Sequence, residues 1–111
     1  MASCNIIISP SARQQIVKAA TYIRDKLGSP KAAISFLNSI EDKLSVLAVF
    51  PNAYPIDEKA SYLSRQEIRS VSMKAHRLLY RFDAEKNEIH ILSLRFGSEN
   101  PKSLRKSDLQ D

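Results

Sequence analysis

The run His76-Arg77-Leu78-Leu79-Tyr80-Arg81-Phe82-Asp83 sets basic residues between apolar ones. A similar run, Ile68-Arg69-Ser70-Val71-Ser72-Met73-Lys74-Ala75, precedes it. Successive side chains of a β-strand point to opposite faces. Leu78, Tyr80 and Phe82 therefore share one face, and Arg77, Leu79 and Arg81 the other. One side is expected to bury while the other offers guanidinium groups to a phosphate or a carboxylate. A short polar stretch, Asp83-Ala84-Glu85-Lys86-Asn87, then forms a hairpin loop into a further strand at about Glu88–Phe96. The pattern thus predicts three consecutive strands, near Ile68–Met73, His76–Asp83 and Glu88–Phe96.

Upstream of these strands the period changes. Asn5-Ile6-Ile7-Ile8 is a short β-branched run that reads as a buried strand. Ser9-Pro10 supplies an N-cap and a proline at the first helical position, where its missing N–H costs nothing. Ala12, Ile16, Ala19, Ile23 and Leu27 then recur at helical spacing and predict one buried stripe. Gly28 ends this helix in a left-handed conformation, and Ser29-Pro30 starts another. Its expected stripe is Ala33, Leu37, Ile40, Leu44 and Leu47, widened by Phe36 and Ala48. Phe50-Pro51 stops it, because the residue before proline is disfavoured in the α region.

Two amphipathic helices joined by Gly-Ser-Pro make an αα-hairpin that needs an apolar surface, and an antiparallel sheet supplies one. The expected fold is α+β, a two-helix hairpin packed on a small antiparallel sheet in the order β-α-α-β-β-β. Residues 51–64 read as a loop, from the turn signals Pro51-Asn52 and Tyr54-Pro55. Residues 97–111 read as a polar, frayed tail with room for a short helix after Pro101.

With 111 residues the chain reads as a single domain, 43% apolar and 26% charged, which fits a soluble globular protein. No apolar run approaches a membrane span, and nothing resembles an export signal. The single Cys4 suits a reducing cytoplasm, and one Cys with two His gives no expectation of a structural zinc site or other metal. The net charge of +5 is uneven. Residues 1–58 carry six Lys/Arg against five Asp/Glu, and residues 59–111 carry eleven against seven. The basic half holds the three strands, which favours encounters with polyanions or acidic proteins.

Several fragments, taken in order, resemble the RelE/ParE toxins of bacterial type II toxin–antitoxin systems. Ser9-Pro10-Ser11-Ala12 is similar to that superfamily's first helix start. Tyr22-Ile23 with Leu27-Gly28-Ser29-Pro30-Lys31-Ala32-Ala33 resembles a ParE-type helix hairpin. Leu47, Phe50-Pro51 and Tyr54-Pro55 resemble an "L..FP..YP" junction. His76–Asp83 resembles a "YRLLYRVD" strand, and Ile89-His90-Ile91-Leu92 a "VYIL" strand. The resemblance implies a toxin neutralised by a cognate antitoxin, with either DNA gyrase (ParE-like) or ribosome-bound mRNA (RelE-like) as target. It implies no cofactor.

Cleavage of RNA by 2′-OH attack needs a base, charge stabilisation of the phosphate and a proton for the leaving oxygen. By the resemblance Arg77 matches a phosphate-contacting strand arginine. His76, which titrates near neutrality, and Arg95 complete the catalytic candidates. Arg69, Lys74, Tyr80 and Arg81 are candidates for binding nucleic acid or a partner. Tyr80 reads more often as core from its alternation with Leu78 and Phe82, Arg81 as a solvated or antitoxin-facing residue, and His90 as a plain strand residue. Against the ParE-like ending "LHGRQDP", Phe96 replaces the histidine, while Gly97, Asn100 and Pro101 fit. Phe96 cannot move a proton, so a complete RelE-type catalytic set is not visible. A non-toxic or degenerate basic binding domain is the reading from a different class.

Overall fold

The computed structural model describes residues 3–97 and 103–110. Asn100 and Pro101, matched above to the family ending, lie outside them. Strand β1 (Asn5–Ile8) leads into helices α1 (Pro10–Asp25) and α2 (Pro30–Val49). A third helix, α3 (Glu58–Ser64), precedes β2 (Arg69–Ser72), β3 (His76–Asp83) and β4 (Glu88–Phe96), and a 3-10 turn spans Lys106–Leu109. The α+β class and the helix hairpin are as expected. No helix among the described residues is long and apolar enough to cross a membrane.

Local chemistry accounts for the helix boundaries. Ser9 Oγ accepts from Ala12 N at 3.0 Å and Ser29 Oγ from Ala32 N at 3.1 Å, so both Ser-Pro pairs cap as the sequence indicates. Gly28 adopts φ +66°, which lets Ser29 N reach back to Ile23 O at 3.2 Å. The buried stripes are narrower than expected. Ala12, Ala19, Ala33, Ile40 and Leu47 are buried, but Leu27 is 61% and Leu37 43% exposed. Leu27 follows the last turn of α1, where the 3.6-residue period no longer directs it inward.

The sheet corrects the all-antiparallel expectation. Its order is β1-β4-β3-β2, with β2 and β4 antiparallel to β3, but β1 runs parallel to β4. A short strand far away in sequence carries no local mark of its partner or direction. The segment expected as a loop also holds α3, capped by Asp57, whose Oδ1 accepts from Ala60 N at 3.0 Å.

A register shift changes the reading of the faces. Leu79 pairs with Ser93 and Tyr80 with Ile91, leaving Leu92 as the extra residue of a bulge. Gln15 of α1 satisfies the irregular segment, its Oε1 accepting from Leu94 N at 2.8 Å. Leu78, Tyr80, Ile89, Ile91 and Leu94 pack against the α1–α2 hairpin. Leu79 and Leu92 instead join Ala60, Ile68, Leu104 and Leu109 in a second cluster on the outer face. The outer face is therefore a second core, covered by α3 and the chain end. The expectation of an open basic face fails here, and within the segment read as a frayed tail Leu104 and Leu109 are buried, with the 3-10 turn at Lys106–Leu109 as its short helix.

Candidate functional site

The three catalytic candidates divide between the faces. His76 lies on the helix side, its ring centroid 4.9 Å from that of Phe36 on α2 and 4.5 Å from that of Phe96. Arg77 and Arg95 are direct partners across the β3–β4 ladder, so they project together from the outer face. Two cations facing each other would repel, and each is met by its own carboxylate. Arg77 Nη1 donates to Asp57 Oδ2 at 2.5 Å, the side chains being 22% and 13% exposed. Arg95 donates to Ser103 Oγ at 2.6 Å and to Asp108 Oδ2 at 3.3 Å. Asp57 thereby serves two elements, capping α3 and holding β3, while Asp108 ties the chain end to β4.

The partner-binding candidates also separate. Arg69 Nη1 donates to Tyr54 O at 2.7 Å and Nη2 to Glu67 Oε1 at 3.1 Å, anchoring the Tyr54-Pro55 bend to β2. Lys74 is exposed in the β2–β3 turn. Arg81 lies on the outer face beside a cavity of about 250 Å³ that Ser64 and Lys106 also line.

Tyr80 is fully buried, and its hydroxyl donates to Pro51 O at 2.8 Å, pinning the end of α2 to the sheet. That makes it core rather than a stacking platform for a base. Burial pushes its phenol up to about 12. An unfolded tyrosine ionises near pH 10, so the unfolded chain releases this proton first. The resulting stability is present in full below about pH 10 and lost as pH rises toward 12. Tyr80→Phe is expected to flatten the fall in stability across that interval, measured by urea unfolding at stepped pH. At neutral pH it is expected to cost about 1 kcal/mol for the lost hydrogen bond.

An apolar groove lies on the other side. Two adjoining cavities of about 510 and 560 Å³ share Ala19, Tyr22, His76 and Phe96. They form a groove between the helix hairpin and the end of the sheet where β3 begins and β4 ends. Tyr22 is 48% and Phe96 44% exposed. Lys18, Lys31, Lys74 and Arg95 line it, and among the described residues no carboxylate does. The sequence reading overlooked this groove, since Tyr22 and Leu27 were assigned to a helix motif and a core stripe. It also overlooked Asp57 and Asp108. An Asp one residue before a helical Glu is a start signal that marks Asp57 as a cap, but nothing local reveals its pairing with Arg77.

The model of the family described as ParE toxin of type II toxin–antitoxin system, parDE, matches residues 6–101. The chain belongs to this family, within the RelE/ParE superfamily of toxins. Among solved structures, a chain in the crystal structure of the toxin–antitoxin complex RelBE2 from Mycobacterium tuberculosis has a similar fold. The TM-score is 0.58 at 19% identity, covering 89% of this chain and 97% of that one. No curated protein matches the chain significantly.

Proposed function

We propose that this chain arrests growth by binding DNA gyrase and does not cut RNA. One observation carries the choice between the two targets. Arg77 and Arg95, the arginines best placed by sequence to grip a scissile phosphate, are each engaged by a carboxylate, and His76 sits on the opposite face of the sheet. An arginine is a poor proton carrier at neutral pH, and His76 projects from the face of the sheet opposite to Arg77. The outer face thus works as structure, and the functional contacts fall to other surfaces of the domain.

The partner we infer is a cognate antitoxin with an acidic, amphipathic segment. Apolar side chains at helical or strand spacing would fill the groove over Tyr22 and Phe96, and carboxylates would meet Lys18, Lys31 and Lys74. Both readings meet one experiment. The purified chain is added to gyrase with relaxed plasmid, and separately to a translating extract in which mRNA ends are mapped. Inhibited supercoiling with intact mRNA supports the proposal. Codon-phased mRNA cuts with unaffected supercoiling support ribosome-dependent cleavage instead, and inactivity in both, with harmless expression, supports a degenerate binding domain.

A further inference from the structure

We propose that the β3–β4 hairpin carries a binding site for a borderline divalent metal ion such as zinc, formed by Asp83, Glu88 and His90. The proposal is independent of the choice between gyrase and ribosome. Asp83 and Glu88 are direct partners across the ladder, and His90 follows Glu88 by two residues on the same strand. The register therefore sends all three side chains to the outer face, and their ligand atoms lie within 4.8 Å of one another. All three are half-buried rather than splayed into solvent.

The donor set distinguishes this cluster from an ordinary patch of surface acids. One imidazole nitrogen with two carboxylates suits a first-row dication better than calcium or magnesium, which favour all-oxygen shells. It also differs from a Cys/His-rich structural zinc centre, for which the chain lacks ligands. Zinc bonds of about 2.0–2.2 Å imply donor-to-donor edges of about 3.3 Å, which modest side-chain rotations reach from the observed spacing. The ligands stand on paired strands, so their backbones are already fixed. The loop reinforces this, with Lys86 N donating to Asp83 Oδ1 at 3.2 Å and Asn5 N to Asn87 O at 3.0 Å.

Other groups face the site. His90 Nε2 lies 3.2 Å from Glu88 Oε1, a contact the ion would replace with two metal bonds. Arg81 is the direct partner of His90 and shares its face. Its guanidinium opposes a dication, but the adjoining cavity lined by Ser64 and Gln66 gives it room to swing away. Cys4, whose thiol donates to Asn87 Oδ1 at 3.2 Å, is the nearest competing soft ligand.

The test uses the full chain and the metals alone. Isothermal titration with zinc is expected to show one saturable site, absent with magnesium. His90→Gln and Glu88→Gln are each expected to weaken it at least about tenfold, since even outer partners of metal ligands are worth 10–100-fold. Cys4→Ser is expected to leave it unchanged. The cobalt-substituted wild type needs no variant and is expected to show ligand-field bands without sulfur-to-cobalt charge transfer. No saturable zinc binding, undiminished binding by both Gln variants, or a sulfur charge-transfer band would each overturn the proposal.

Discussion

Asp57→Ala is expected to lower the unfolding free energy by about 2–4 kcal/mol, a large share of the 5–15 kcal/mol typical of a single domain. Three losses coincide. The N-cap of α3 disappears, Arg77 stays in a mostly buried position without its carboxylate, and the segment before β2 loosens. Asp57→Asn keeps the cap but not the charge, so its cost is expected near half as large. Urea unfolding of both variants measures this, with unchanged m-values as the sign that the native state is otherwise intact. A double-mutant cycle with Arg77→Met separates cap from ion pair. The double variant is expected to be more stable than Asp57→Ala alone, because it removes the stranded cation. Additive costs of the two single substitutions in the double variant would mean that Arg77 and Asp57 do not interact in solution.

The second large effect concerns the groove. Phe96→Asp is expected to weaken binding of the proposed antitoxin at least about 30-fold, the factor a 2 kcal/mol anchor represents. The substitution removes an exposed ring from the shared floor of the groove and places a negative charge where an acidic segment would lie. Phe96→Leu is expected to retain most of the affinity, since it keeps the apolar contact. Lys74→Glu is expected to act differently, slowing association in a salt-dependent manner with a smaller effect on dissociation. Surface plasmon resonance against the cognate antitoxin separates these two effects. Full affinity in Phe96→Asp would place the antitoxin elsewhere.

Elements whose boundaries are set by near neighbours were legible in the sequence. Ser9-Pro10 and Ser29-Pro30 announce two helix starts, Gly28 announces the turn between them, and alternation marks β3 and β4 within a residue or two. Features set by distant partners were not. The parallel pairing of β1 with β4 depends on residues more than eighty positions apart. Helix α3 has seven residues, too few for a periodic stripe to show. The bulge at Leu92 is invisible to a strict period of two, yet it is what turns Leu94 to the helix side and sets Arg95 across from Arg77 on the outer face. The same limit governs the site. Arg77 and Arg95 read as exposed cations because Asp57 and Asp108, their partners, lie twenty and thirteen residues away.

Those two carboxylates change what the basic strand means. A guanidinium that is paired, mostly buried and backed by a second apolar cluster braces β3 and β4 against α3 and the chain end. Chemistry on RNA would require both pairs to open and a proton carrier beside them, whereas His90 on that face stands across from Arg81. Binding a protein target requires neither.

The most direct test of this account is in vitro supercoiling by DNA gyrase, titrated with the wild-type chain and with Arg77→Met/Asp57→Leu, which replaces the ion pair by apolar groups. Both proteins are expected to inhibit supercoiling at similar concentrations while mRNA in a translating extract stays intact. Cleavage of that mRNA by the wild type, lost in the double variant while gyrase remains unaffected, would contradict it.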